Sequence, residues 1–256
     1  MKYLALFSFA MLSISAAAIA PTAEAKEYHS NGIVEFVPND EITPPVDPEN
    51  PDPEKPVDPV DPTEPGGEPE PGTAGPLSID YVSSFDFGKN KISNKDETYY
   101  AMAQHYNGHS DSPNYLQVTD NRGTNGGWTL TVAQNGQFMA EKKVQHNNLL
   151  GAQITLADPE LKSNARSVLK PDAASTIHID PAGAVSLVLT AKSGIGSGTW
   201  DEYWGKVEPF VSKSVLPKQS YNITKAVSLS VPGSTPKDAV TYKTSLTWTL
   251  NDIPEN

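Results

Sequence analysis

The chain has 256 residues, 31 acidic and 19 basic side chains, a formal net charge of −12, and no cysteine. Without cysteine there is no disulfide framework, no thiolate metal site, no thiol nucleophile and no lipoprotein anchor. The acidic balance argues against nucleic acid as a partner, because phosphates call for a basic surface.

In chain order, residues 1–25 read as a secretory signal peptide. Lys2 supplies the positive start, Leu4 to Ala20 form the apolar run, and Ala23-Glu24-Ala25 gives the small-x-small cleavage pattern. The apolar run lies at the lower limit for a membrane span, about 17 residues, and a cleavage pattern follows it. The expected mature chain starts at Lys26, is secreted, and carries no transmembrane segment. A cysteine-free exported chain of this size fits a Gram-positive surface.

Residues 26–43 form a short N-terminal segment. Within it Gly32-Ile33-Val34-Glu35-Phe36-Val37 alternates enough to predict one strand. Residues 44–76 contain 12 prolines, nine acids and one lysine, and Pro45-Val46-Asp47-Pro48 recurs as Pro56-Val57-Asp58-Pro59. Proline fixes φ and removes backbone donors, so neither helix nor sheet is expected. Like charges add extension, giving a disordered acidic linker that spans roughly 100 Å at about 3.1 Å per residue. A docking ligand for a proline-binding module is the alternative reading.

Residues 77–256 are nearly neutral and long enough for one core. Short β-like runs recur between Gly, Pro, Asn and Asp breaks, from Leu77–Val82 through Trp128–Val132 to Tyr242–Leu250. They predict an all-β domain, an antiparallel sandwich or barrel-like fold. One short helix is expected at Asp158–Lys162, with Asp158 as N-cap and Pro159 in the first turn.

The chemistry-bearing patterns are sparse. His105 and His109 have the spacing of a zinc helix, but Asn107 and Gly108 weaken a helix there and no companion glutamate is present. Trp200-Asp201-Glu202-Tyr203-Trp204 sets rings beside carboxylates, which suits sugar contact, so Trp200, Asp201, Tyr203 and Trp204 are candidate glycan-contact residues. The bland reading makes them ordinary strand residues whose rings plug the domain. Asp201 and Glu202 are adjacent, so a strand points them to opposite faces, a poor acid–base pair for glycan cleavage. There is no nucleophile elbow or phosphate loop. The expectation is a binding protein, not an enzyme, with no catalytic residue, metal or cofactor.

Two segments matter most: Gly126-Gly127-Trp128-Thr129-Leu130-Thr131-Val132, and Tyr242-Lys243-Thr244-Ser245-Leu246-Thr247-Trp248-Thr249-Leu250. Both hold Trp-x-Leu, and the second adds a tyrosine four residues before Leu-Thr-Trp-x-Leu. In this order and position they resemble the WxL domain of Gram-positive surface proteins. Leu77–Val82 with Phe87-Gly88, Gly198-Thr199-Trp200 and the acidic proline-rich segment agree with that resemblance, which covers essentially the whole chain.

The resemblance implies non-covalent attachment to peptidoglycan or another wall polymer. It also implies assembly with co-encoded surface proteins, including a membrane-anchored one with immunoglobulin-like domains. An alternative is an interaction subunit that reaches the wall only through such a partner. A glycan-cleaving enzyme is a third, weaker reading. Leu216-Pro217-Lys218-Gln219-Ser220 is only superficially similar to a sortase signal and reads as a loop.

Alternation makes its own statement about the motif residues Trp128, Leu130, Tyr242, Leu246, Thr247, Trp248 and Leu250. Trp128 and Leu130 share one strand face; Tyr242, Leu246, Trp248 and Leu250 share another. Both faces are apolar, so the tryptophans are expected inward as core; the alternative, rings stacked on glycan sugars, would require them to be exposed. Thr129, Thr131, Thr247 and Thr249 are then expected outward.

Overall fold

The computed structural model describes residues 26–64, 66–212 and 220–253. The expected signal peptide and Leu216–Gln219 lie outside these residues. The described residues hold seventeen strands and no helix. In chain order the first six are β1 (Pro59–Val60), β2 (Leu77–Val82), β3 (Glu97–Met102), β4 (His105–Tyr106), β5 (Tyr115–Asp120) and β6 (Trp128–Gln134). Then come β7 (Met139–Ala140), β8 (Gln153–Ala157), β9 (Pro159–Lys162), β10 (Asp172–Ala173), β11 (Thr176–His178) and β12 (Ser186–Ala191). The last five are β13 (Gly198–Trp204), β14 (Val207–Val211), β15 (Ser220–Val231), β16 (Tyr242–Lys243) and β17 (Leu246–Asn251).

The chain divides into a unit ending at Phe36 and a compact unit from Val37 to Asn256. In the first, residues 26–36 carry no strand, and Tyr28, Ile33, Val34 and Phe36 are exposed. The strand expected over Gly32–Val37 is therefore absent. A six-residue alternating run without a ladder partner has nothing to satisfy its backbone groups.

The second unit is all-β, as expected, and its paired strands run antiparallel. One sheet has the order β2-β5-β13-β9, and another β10-β12-β6-β17. A third runs β11-β8-β15-β14, with β3 also paired to the twelve-residue β15. Inward residues of all three build one apolar core. It includes Leu116, Trp128, Leu130, Leu156, Trp204 and Val227.

The helix expected at Asp158–Lys162 is strand β9 instead. Asp158 has φ 50, which turns the chain before Pro159, and Glu160 lies opposite Tyr203 of β13. β9 is the outer strand of its sheet, the place where a proline without a backbone donor is tolerated.

The proline-rich segment also departs from expectation. It is not a free spacer but an arm packed within the compact unit. Val46, Pro48, Pro59 and Asp61 are buried. The two copies of the repeat fold back on each other: Val46 bridges Pro56, and the Val57 amide donates to the Pro45 carbonyl at 2.9 Å. The arm is tied down at several points. The Val46 amide donates to Gln117 Oε1 at 2.8 Å, β1 pairs with β4, and Ser84 Oγ donates to Asp61 Oδ2 at 2.7 Å.

The reason lies in the Asp-Pro steps. Asp47 Oδ1 accepts the Glu49 amide, Asp52 Oδ1 accepts the Glu54 amide, and Asp61 Oδ1 accepts the Thr63 amide. Each aspartate thus closes its own turn, with proline presetting the next φ. The acids that suggested an extended polyelectrolyte are local turn-formers.

Candidate functional site

The two Trp-x-Leu motifs occupy neighbouring strands. β6 carries the proximal motif at the centre of its sheet, and β17 carries the distal motif at the edge. Trp248 lies opposite Val132, and Leu246 opposite Gln134.

Trp128 is fully buried, and its indole donates to the Gly196 carbonyl at 3.0 Å. Two glycines make room for it. Gly127 has φ 81, and a Cβ there would stand 2.3 Å from the Ala191 carbonyl oxygen. A Cβ on Gly196 would stand 2.9 Å from Trp128 Nε1. Leu130 is fully buried beside it. The proximal motif is thus core, as alternation indicates. Thr129 is buried as well, its hydroxyl donating to the Ile253 carbonyl at 2.9 Å, whereas Thr131 is half-buried. Ile253 thus reaches a residue that alternation alone puts in solvent.

The distal motif is more open. Leu246, Trp248 and Leu250 are half-buried, while Thr247 and Thr249 are exposed. Trp248 rests on Trp204 of β13, with ring centroids 6.3 Å apart and planes at 32°. Tyr242 is a fastener: its hydroxyl accepts from the Asp238 amide at 2.9 Å and donates to the His146 carbonyl at 2.7 Å. Tyr242, Leu246 and Trp248 open onto a broad cleft of ≈ 2010 Å³. Phe85, Phe87 and Phe138 add aromatic surface, and Lys89, Lys142, Glu141 and Asp238 add charge of both signs. Lys243 at its side is paired with Glu141 at 2.9 Å. No spacing rule in the sequence collects these phenylalanines; only the sheet packing does.

The candidate glycan residues of β13 lie elsewhere. Trp200, Asp201, Tyr203 and Trp204 are all buried, at 5%, 0%, 5% and 0% exposure. The strand does point Asp201 and Glu202 to opposite faces, but both faces are covered. Trp200, Glu202 and Trp204 enter the core, and Asp201 and Tyr203 lie beneath the arm. Trp200 donates to the Ser197 carbonyl at 3.0 Å, and Tyr203 donates to Glu160 Oε2 at 2.8 Å. Neither ring presents a free face to a sugar.

Burial pushes the carboxyls of Asp201 and Glu202 well above their usual range; Asp80 and Asp47 add to the effect at Asp201. Trp204 favours the charged form of Glu202, without its indole reaching hydrogen-bond geometry. His105 pairs with Asp111 at 2.8 Å, and His109 lies 3.7 Å from Asp47. Among the described residues no group of three or more His, Asp or Glu is placed to hold a metal.

The half-buried apolar face of the distal motif strand thus lines a broad cleft. A model of the family described as WxL domain surface cell wall-binding matches residues 23–254. The chain belongs to that family. It is a cell-wall-binding protein of the cell surface, from a family of binding domains rather than of enzymes. No curated protein and no solved structure matches the chain.

Proposed function

We propose that the protein attaches non-covalently to peptidoglycan through the cleft beside β17. The observation that carries this reading is the contrast between the motif tryptophans. Trp128 is sealed in the core, whereas Trp248 is half-buried on an edge strand and faces the cleft. Ring faces pack on the apolar side of sugars, and charged groups around them take hydroxyl and amide hydrogen bonds. A cleft of ≈ 2010 Å³ exceeds a small-molecule pocket of about 300–1,000 Å³, which favours an extended polymer.

The test is retention of the mature full-length chain on purified, protein-free peptidoglycan. Wild type is expected to be retained and Trp248→Ala to be released while still folded. Equal retention of a folded Trp248→Ala places binding elsewhere. Released reducing sugar would return the enzyme reading.

A second reading is supported by a different feature. β17 has one strand neighbour, β6, among the described residues, so one of its backbone edges is open. Such an edge accepts an added strand. A co-encoded surface partner, such as a membrane-anchored protein with immunoglobulin-like domains, would supply one and make wall association indirect. Failure on bare peptidoglycan with capture by that partner would favour it.

A further inference from the structure

The outer face of the β2-β5-β13-β9 sheet is unlike an ordinary solvent face. Tyr81, Tyr106, Tyr115 and Tyr203 form a buried cluster, with Val57 of the arm packed on it. Tyr81 and Tyr115 have ring centroids 4.8 Å apart. Beside the rings lie two buried carboxyls. Asp80 is well served: Ser78 and Thr119 donate to it at 2.6 Å each, and Gln117 Nε2 at 2.9 Å. Asp201 has both oxygens buried with no hydrogen-bond partner. The arm brings a third acid, Asp47, within electrostatic reach of Asp201.

Gln117 links these acids to the arm. The amide that donates to Asp80 also donates to the Pro44 carbonyl at 3.1 Å, and Gln117 Oε1 accepts the Val46 amide. The arm therefore closes over like-charged groups, held by the side chain that serves one of them. Closing it desolvates Asp201 without a compensating bond, a cost that is small for a neutral acid and large for a carboxylate.

We propose that the proline-rich arm is an acid-held cover, docked while the buried, unpartnered Asp201 carboxyl beside Asp80 keeps its proton and released from the tyrosine face as that carboxyl ionises.

The sign follows from burial, which raises the carboxyls of Asp201 and Asp80. The docked state thus holds the proton more tightly than the open state. Docking is strongest below the ordinary aspartate range and weakens as pH rises through the raised range. The other charged groups around Asp201 are few. Lys162 lies in register with Asp201 on β9, its ammonium 3.9 Å from Glu160. Glu49 of the arm lies near Asp47 and Glu160 and is itself raised by burial. Tyr106 and Tyr115 stay neutral, raised by burial. His109 Nε2 lies 3.7 Å from Asp47 Oδ2. This proposal concerns the arm and stands apart from the cleft and its ligand.

The experiment is hydrogen exchange on the full mature chain between pH 5 and pH 8, corrected for intrinsic exchange. The Val46 and Val57 amides report the arm, and those of β6 report the core. Val46 protection is expected to fall by up to about tenfold per pH unit, with β6 unchanged. In Asp201→Asn the Val46 amide should stay protected at pH 8. If that variant fails to protect β6, Asp201→Ser takes its place with the same expectation. Equal Val46 protection across the range in wild type overturns the proposal. So does an undiminished slope in both variants, or a slope abolished only by His109→Gln. Parallel loss of β6 protection means that the whole domain opens, and that too overturns it.

Discussion

Leu130 and Leu250, the leucines of the two Trp-x-Leu motifs, sit directly opposite each other across the β6–β17 ladder. Because the strands are antiparallel, the two tryptophans lie on opposite sides of that leucine pair, along one sheet face. One end of the strip is sealed by β12, where Ala191 faces Trp128. The other reaches the edge, where Trp248 meets the cleft. The same three-residue motif thus does two jobs, and strand position decides which.

Trp128→Ala should destabilise the domain by about 3–5 kcal/mol, the cost of emptying a buried aromatic site. Trp248→Ala should cost roughly half as much, because the ring is only half-buried. Chemical denaturation of both variants beside wild type measures the difference. Equal losses would show that the distal ring is as much core as the proximal one.

Gly127→Ala should cost about 1–3 kcal/mol although it adds a single methyl. The backbone has φ 81, and the new Cβ would meet backbone atoms of Ala191, Lys192 and Ser193 within 3 Å. Gly126→Ala next door should be nearly silent, since its nearest neighbour is a side-chain oxygen 3.6 Å away. Thermal unfolding of the pair separates a packing demand from a general need for flexibility.

Deleting residues 26–61 should lower the melting temperature by about 5–10 °C, the equivalent of about 2–3 kcal/mol in a domain of this size. The loss comes from exposing the tyrosine cluster on which Val57 packs and from losing the buried Val46 and Pro59. A free spacer would leave the midpoint unmoved. Differential scanning calorimetry decides between the two.

Stability should decline from mildly acidic to alkaline pH, and Glu202 should account for part of the slope. Its carboxyl is raised, so the folded state holds the proton more tightly than the unfolded chain. The stability it allows is complete below the ordinary glutamate range and is lost as pH rises through the raised range, by up to about 1.4 kcal/mol per pH unit. Glu202→Met fills the same core space without a charge and should flatten the curve. Urea titrations at several pH values test this, and an unchanged slope would assign the effect to other groups.

Much of this architecture is legible in the sequence, for reasons that differ by segment. The alternation of Trp128–Val132 and Leu246–Leu250 gives strands and the correct inward face, because period two has one structural solution. The opposite orientation of Asp201 and Glu202 follows from the same rule. Their burial does not, since a single strand cannot announce that both its faces are covered. Asp158-Pro159 misleads because an N-cap aspartate before proline and a left-handed aspartate before an edge strand share one local signature. The arm misleads more deeply. Composition reads its acids as repelling charges, whereas at Asp47, Asp52 and Asp61 each carboxylate also accepts the amide two residues on and closes a turn. The cleft is illegible for a third reason. Phe85, Phe87 and Phe138 join Trp248 only through the packing of separate sheets.

The folding-back of the arm has a practical corollary. Val46 bridges Pro56, so the residues between them form a hairpin whose outer end is the turn Asp52-Pro53-Glu54-Lys55, closed by a 2.9 Å bond from the Lys55 amide to the Asp52 carbonyl. Pro53, Glu54 and Lys55 are exposed. Extra residues placed at that tip would lengthen the loop without shifting the register of either repeat, whereas a single residue added inside Pro45–Pro48 or Pro56–Pro59 would shift one repeat against the other. A fluorophore or epitope for following this protein on living cells therefore belongs at Glu54 rather than near Ile253, whose carbonyl accepts the Thr129 hydroxyl.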